Sequence, residues 1–393
     1  MNLSKGKRTL FYITTMMFWF AMYTYVPILT PYVEYLGGSL FMAGLVVGSY
    51  GFTQMLVRIP LGIWSDRIGK RKVFIIAGIL CAIISSVGLG LSTNVWMVLF
   101  FRGLAGVAAG SWVAFTVLFS SYFEPQDAPK AMGLISFYTS VGQMIASTLG
   151  GFLAQYLGWD FAFYAGAVGG LIGLITSVWI VEPAMKKKQP IAVSELVSIG
   201  KKWPLLSVSL LAVLGQSIAF TTMFGFSPLY AVHIGFNKSE LSLLTLVTIL
   251  PNAIAGYVSG TLVVKRIGAR WTVGSGFLLA AICTIAIPFT HSMFSLMVTQ
   301  AFNGFGQGLQ SPILMGLAIH SITADKRATA MGFFQAIYSV GMFGGPFLVG
   351  LLGKWIGLVG GFEFMGVVSV LAALLALWWI RATKAEADSR TTG

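Results

Sequence analysis

Residues 62–72 read Gly62-Ile63-Trp64-Ser65-Asp66-Arg67-Ile68-Gly69-Lys70-Arg71-Lys72. They join two long apolar segments, and five of their last seven side chains are charged in a chain that is only 9% charged overall. Such a cluster cannot sit in hydrocarbon, so it reads as a short loop at a membrane surface between two spanning helices.

Working outward, composition agrees. The chain has 393 residues, 56% of them hydrophobic, and a mean hydropathy of +0.84. Soluble domains are near 45–50% apolar and about 25% charged. A polytopic membrane protein is expected. A span needs about 20 apolar residues, and twelve such stretches are found: 10–32, 40–63, 73–91, 95–120, 130–156, 160–181, 205–232, 240–263, 271–289, 293–321, 328–353 and 358–380. The first follows Lys5, Lys7 and Arg8 as a signal peptide would, but it is too long for one and no cleavage-like site follows, so it reads as a retained helix.

With the N-terminus in the cytoplasm, only Lys238 and Lys354 fall on the far side. Arg58 and Arg102 lie within spans, and every other Lys and Arg is inside. The formal charge of +13 is therefore topological, and nucleic-acid binding has no support. Both termini are expected in the cytoplasm, and the compact loops fit a bacterial inner (plasma) membrane. Cys81 and Cys283 fall inside spans and read as core residues. His233, His291 and His320 stand at span ends with no metal-like spacing, so no metal is expected.

The longest connection, about 183–204, contains Lys186-Lys187-Lys188 and a stretch, 191–199, that reads as a short surface helix. It divides the chain into 1–182 and 205–393. The halves repeat at an offset of 199 residues: Ala131-Met132-Gly133 recurs as Ala330-Met331-Gly332, Ser140-Val141-Gly142 as Ser339-Val340-Gly341, and Arg67-Ile68-Gly69-x-Arg71 as Arg266-Ile267-Gly268-x-Arg270. An even number of spans per half makes the repeats parallel.

The opening stretch fits G-x-x-x-D-[RK]-x-G-[RK]-[RK] at Gly62, Asp66, Arg67, Gly69, Lys70 and Arg71, and so resembles the loop signature of the major facilitator superfamily. The resemblance covers essentially the whole chain. It implies an all-α fold of twelve helices in two pseudo-symmetric six-helix bundles, with substrate bound between them near the midplane. It implies that Asp66 and the neighbouring Arg help close one side of the transporter, against the plainer reading of a solvated surface pair. Lys265 replaces the acid in the second copy.

Arg102 sits about two turns into the fourth span, in a stretch similar to the family's R-x-x-x-G pattern, which is tied to proton coupling. A buried Arg is costly and marks pathways; the alternative is that it snorkels to the surface. Arg58, one turn before Gly62, either snorkels or braces the loop. Gly133, Gly142, Ala146-Ser147 and Gly150-Gly151 resemble the antiporter signature G-x8-G-x3-G-P-x2-G-G, with its inner Gly-Pro replaced. The second copy keeps Gly332, Gly341, Gly345, Pro346 and Gly350. The plain use of both is close helix packing. Acidic residues are scarce in the spans. Glu34, Asp160 and Glu363 all lie toward the outer face, and Glu34 either titrates in transport or is a rim residue.

The midspan polar residues are amides and phenols: Tyr23, Gln54, Tyr138, Gln143, Gln216, Asn252, Asn303, Gln307, Gln310, Gln335 and Tyr338. Asn303, Gln307 and Gln310 share one face of a helix at i, i+4 and i+7. They serve either interhelical bonding or an uncharged cavity lining. No G-x-x-x-x-G-K-[ST] loop occurs, so ATP is not the expected energy source, and no nucleophile–base set points to an enzyme. The reading is a secondary active transporter of a small organic molecule, with proton-coupled efflux of a drug or metabolite expected. Uptake, or a non-transporting receptor or scaffold, is the alternative. No cofactor is expected, and a monomer in the bilayer is.

Overall fold

The computed structural model describes residues 5–124, 128–183, 200–320, 322 and 327–391. Among these there is no strand. Most of the connection at 183–204, with its expected surface helix, lies outside the described residues.

Eight stretches are long and apolar enough to cross a membrane. Two of them, Lys238–Phe289 and Ala330–Ile380, each hold two helices that meet at a left-handed glycine, Gly268 (φ 80°) and Gly357 (φ 65°). The long helices Ala128–Tyr156 and Met293–His320 bring the count among described residues to twelve. We number them in chain order: α1 Gly6–Tyr35, α2 Leu40–Ile68, α3 Lys72–Gly90, α4 Val95–Ser120, α5 Ala128–Tyr156, α6 Trp159–Val178, α7 Trp203–His233, α8 from Lys238 to the break at Gly268, α9 from there to Phe289, α10 Met293–His320, and α11 and α12 on either side of Gly357.

Several spans are interrupted where the sequence gives a reason. Pro27 in α1 lies in the 3-10 turn Val26–Ile28, since Pro cannot donate to the helix ladder. In α7 a π-turn, Thr222–Phe226, precedes Pro228. Such turns recur at functional sites.

The chain divides into two compact units. One comprises Met1–Gly38, Phe52–Pro190 and Asn237–Leu243; the other comprises Ser39–Gly51, Ile191–Phe236 and Leu244–Gly393. The first part of α2 thus belongs to the second unit, and the first turns of α8 to the first. In the second unit, α2 approaches α11 so closely that a Cβ at Gly44 would strike the Pro346 carbonyl. In the first unit, α8 docks on α5 by hydrogen bonds. Ser242 Oγ donates to the Ser147 carbonyl at 2.6 Å and accepts from the Gly151 N–H at 2.9 Å. Lys238 Nζ lies 3.9 Å from the centre of the Trp159 ring. The hydroxyl of Ser147, which departs from the antiporter signature, itself donates to the Tyr23 carbonyl at 3.4 Å.

The internal repeat extends to the backbone. Left-handed glycines recur at the same 199-residue offset, Gly69 with Gly268 and Gly158 with Gly357. A side chain strains that backbone, so the turns require glycine. Tyr32 Oη donates to the Ser92 carbonyl at 2.9 Å, and Tyr230 Oη donates to the Thr290 carbonyl, also at 2.9 Å. The signature glycines pack helices in both copies: a Cβ at Gly142 or Gly150 would overlap backbone of α1, and one at Gly341 or Gly345 would overlap backbone of α7. Gly133 and Gly332 face open space.

Candidate functional site

Three groups of residues carry charge or unpaired polarity, and each is built by one unit.

The α2–α3 loop belongs to the first unit. Gly69, at φ 70°, turns the chain so that Arg71 folds back over the end of α2. Arg71 pairs with Asp66 and donates to Ser65 Oγ. The Arg71 side chain is 7% exposed and that of Asp66 34%. Ser65 Oγ itself donates to the Gly62 carbonyl at 2.9 Å. Arg67 and Lys70 are exposed, and Gly62 has open space where a Cβ would be.

Glu182, which no motif of the sequence singles out, completes the cluster. Its Oε1 accepts the backbone N–H of Arg71 and, at 3.2 Å, that of Lys72. These are orphan donors at the start of α3, where a carboxylate is favoured. Tyr122 donates to the Val181 carbonyl beside it. Burial, and secondarily the Glu182 charge, push the Tyr122 phenol well above its ordinary value. The only sequence signal for Glu182 is an acid just past a span in an otherwise basic region.

Arg102 is 4% exposed. Its Nη1 donates to Tyr25 Oη at 3.3 Å, and its guanidinium carbon lies 5.5 Å from the Tyr25 ring centre. Both the hydrogen bond and the ring face favour the cation. Arg102 is therefore held inside rather than snorkelling outward. Arg58 is likewise inside, 3% exposed. Glu34 is exposed, nine residues beyond Tyr25 on α1, about 13 Å farther along at 1.5 Å per residue. The first unit also holds the aromatic candidates. Tyr138 stacks on Tyr12 with centroids 4.2 Å apart, and Tyr23 lies 5.7 Å from Trp19. Gln54 is buried there at 3% exposure.

The helix-10 stripe belongs to the second unit, and the structure divides its members by partner. Asn303 Nδ2 donates to Thr222 Oγ1 at 3.1 Å, at the π-turn of α7. Asn252 Nδ2 donates to the Gly304 carbonyl at 3.1 Å. These two bond helix to helix. Gln307 and Gln310 instead meet Gln216 and Tyr338 around a cavity of about 100 Å³ that is also lined by Ser311, Leu314, Met315 and Phe334. Gln300, one turn before Asn303, is fully buried with both amide atoms unpartnered; its place at i−3 from Asn303 is the signal that would have found it.

Twelve apolar helices, buried charge in the spans and an uncharged polar cavity define a multi-pass membrane transporter rather than an enzyme. The chain belongs to the Major Facilitator Superfamily, whose family model matches residues 11–265 and 231–392. It is 26% identical over 364 residues to the inner membrane transport protein YajR of Escherichia coli, covering 91% of this chain and 78% of that one. It is 24% identical over 341 residues to a probable sugar efflux transporter of Helicobacter pylori, covering 86% and 85%. Its fold is similar to a solved bacterial homolog of the human lysosomal transporter Spinster in an inward-facing, occupied conformation: TM-score 0.79, 19% identity, covering 96% of this chain and 98% of that one.

Proposed function

We propose that the chain exports a small organic molecule by alternating access, driven by protons. Residues 1–182 and 205–393 act as its two six-helix halves, joined by 183–204. It works as a monomer in the cell's inner membrane with both termini in the cytoplasm. The observation that carries the reading is Arg102, a permanent charge kept inside a spanning helix against Tyr25. A charge in that position is costly and is kept where ions or charged groups pass. The Arg102 charge favours the ionised form of a carboxylate that comes near it, or holds substrate. The export direction is supported by the name of the H. pylori relative, a sugar efflux transporter.

Energetically, one charge crossing 100 mV is worth about 2.3 kcal/mol, which supports roughly a fifty-fold gradient at 1.4 kcal/mol per tenfold. Reconstituted in vesicles, the protein is expected to move labelled glucose or labelled nicotinamide against its gradient when a pH gradient is imposed. A protonophore should abolish that movement. Flux indifferent to both the pH gradient and the membrane potential would make the protein a facilitator.

A further inference from the structure

The second-unit cavity carries the next step. Gln310 Nε2 donates to Gln307 Oε1 at 2.8 Å. That bond leaves Gln310 Oε1 and Gln307 Nε2 buried without a partner, on side chains 1% and 5% exposed. Turning both amides together reverses the bond and again leaves one acceptor and one donor free, whereas turning one alone breaks it. Two carboxamides joined by one N–H···O bond always leave one free acceptor and one free donor side by side. A buried polar atom without a partner costs about 1–3 kcal/mol, so this pair is built for something that arrives.

The pattern selects the arrival's charge. A desolvated cation needs oxygens and would face the Gln307 N–H. An anion needs donors and would face the Gln310 oxygen. The cavity lining holds no charged side chain to compensate either one. A neutral group offering an acceptor next to a donor satisfies both atoms at once. Neighbouring hydroxyls do so, as does a carboxamide. Ser311 and Tyr338 add hydroxyls to the lining, and the Phe334 and Tyr338 rings, 5.6 Å apart and nearly perpendicular, supply an apolar wall. The volume, about 100 Å³, is several times the ~10–15 Å³ that one water needs, so it accepts the head of a molecule. Gly215 on α7 leaves room beside the acceptor: a Cβ there would lie 3.2 Å from Gln310 Oε1.

We propose that this cavity is the polar half of the substrate site and takes the neutral head of the substrate, a pair of hydroxyls or an amide, while rejecting ions. The inference rests on the exporter reading and names the substrate class of the same site.

The test is equilibrium binding to the purified full-length protein, followed by calorimetry, with glucose, nicotinamide, benzamidinium and benzoate as probes. Glucose or nicotinamide is expected to bind. Losing one neutral hydrogen bond in Gln307→Leu or Gln310→Met should weaken that binding about five- to tenfold. Gly215→Ala should weaken it with both glutamines intact, which controls for misfolding of the amide variants. Gln310→Glu should admit benzamidinium above the carboxyl's pKa and not below it. Binding of neither neutral probe, or binding that survives all three weakening variants, overturns the proposal. Loss of proton-driven flux with binding and its variant effects intact would sink the exporter reading and leave this one standing.

Discussion

Replacing Asp66 by Asn keeps the shape of the side chain and removes its charge. The partner left behind, Arg71, is 7% exposed, and its remaining side-chain acceptor is Ser65 Oγ. Breaking a fully buried pair costs about 3–5 kcal/mol, whereas an exposed pair is worth about 0–1. Asp66 is 34% exposed, so solvent takes up much of the loss, and about 1–2 kcal/mol is expected. If the pair belongs to one state of a transport cycle, that is a shift of roughly 5- to 30-fold in the balance between states. The variant should fold and insert yet transport poorly. Vesicle flux and thermal unfolding in detergent read the two effects separately. A double-mutant cycle with Arg71→Gln should show the two losses to be strongly non-additive. Wild-type flux from Asp66→Asn, with additive cycle energies, would reduce the loop to a surface feature and refute the gating argument.

Arg102→Ala should uncouple or halt proton-driven flux, and Arg102→Lys should restore part of it because the charge returns without the planar fork. Gly150→Ala should lower the yield of folded protein by crowding the Thr24 carbonyl, at about 1–3 kcal/mol, while Gly133→Ala, facing open space, should be tolerated; equal behaviour of the two would count against the packing role. Cysteines placed at Ser39, Lys238 or His291 should react with an impermeant reagent on intact cells, and one at Lys187, outside the described residues, should not; labelling at Lys187 would reverse the topology. Tyr122 has its phenol pKa raised in the fold by burial. Its contribution to stability is therefore complete below about pH 10 and is lost as pH rises through the folded value. Unfolding temperature should fall above pH 10 more steeply in the wild type than in Tyr122→Phe.

The spans were legible because hydrocarbon thickness demands long apolar runs and little else in this chain is long and apolar. What interrupts them, the 3-10 turn at Pro27 and the π-turn at Thr222–Phe226, was not read from the sequence. The loop was legible as a surface segment because its charges have nowhere else to go; that Asp66 pairs with Arg71 was not read from the sequence. Glu182 was not, because its partners are 111 and 110 residues away and nothing local marks them. Periodicity placed Asn303, Gln307 and Gln310 on one face. It could not say that Asn303 is engaged by Thr222 across helices while the two glutamines leave a donor and an acceptor over a cavity. That difference is set by α7, which presents a hydroxyl at Thr222 and a bare glycine at Gly215.

The two units repeat in backbone and diverge in buried chemistry. Left-handed glycines and a tyrosine-to-carbonyl bond recur at nearly the same offset, so packing has been kept under the same constraints in both. Yet the buried arginines among the described residues, Arg58, Arg71 and Arg102, all lie in the first unit, while Gln300, Asn303, Gln307 and Gln310 crowd one helix of the second. The offset carries Arg102 onto Ala301 and Asp66 onto Lys265. A buried charge and a buried amide respond to different things: the first to protons and ions through long-range fields, the second only to a hydrogen-bonding group in contact. A neutral solute bound at the amides, on the proposed reading, brings no charge to compete with the coupling site. On the proposed reading, charge-changing substitutions in the first unit should therefore alter how transport responds to pH and voltage, whereas isosteric substitutions among the second unit's glutamines should alter which solutes are carried and leave that response intact.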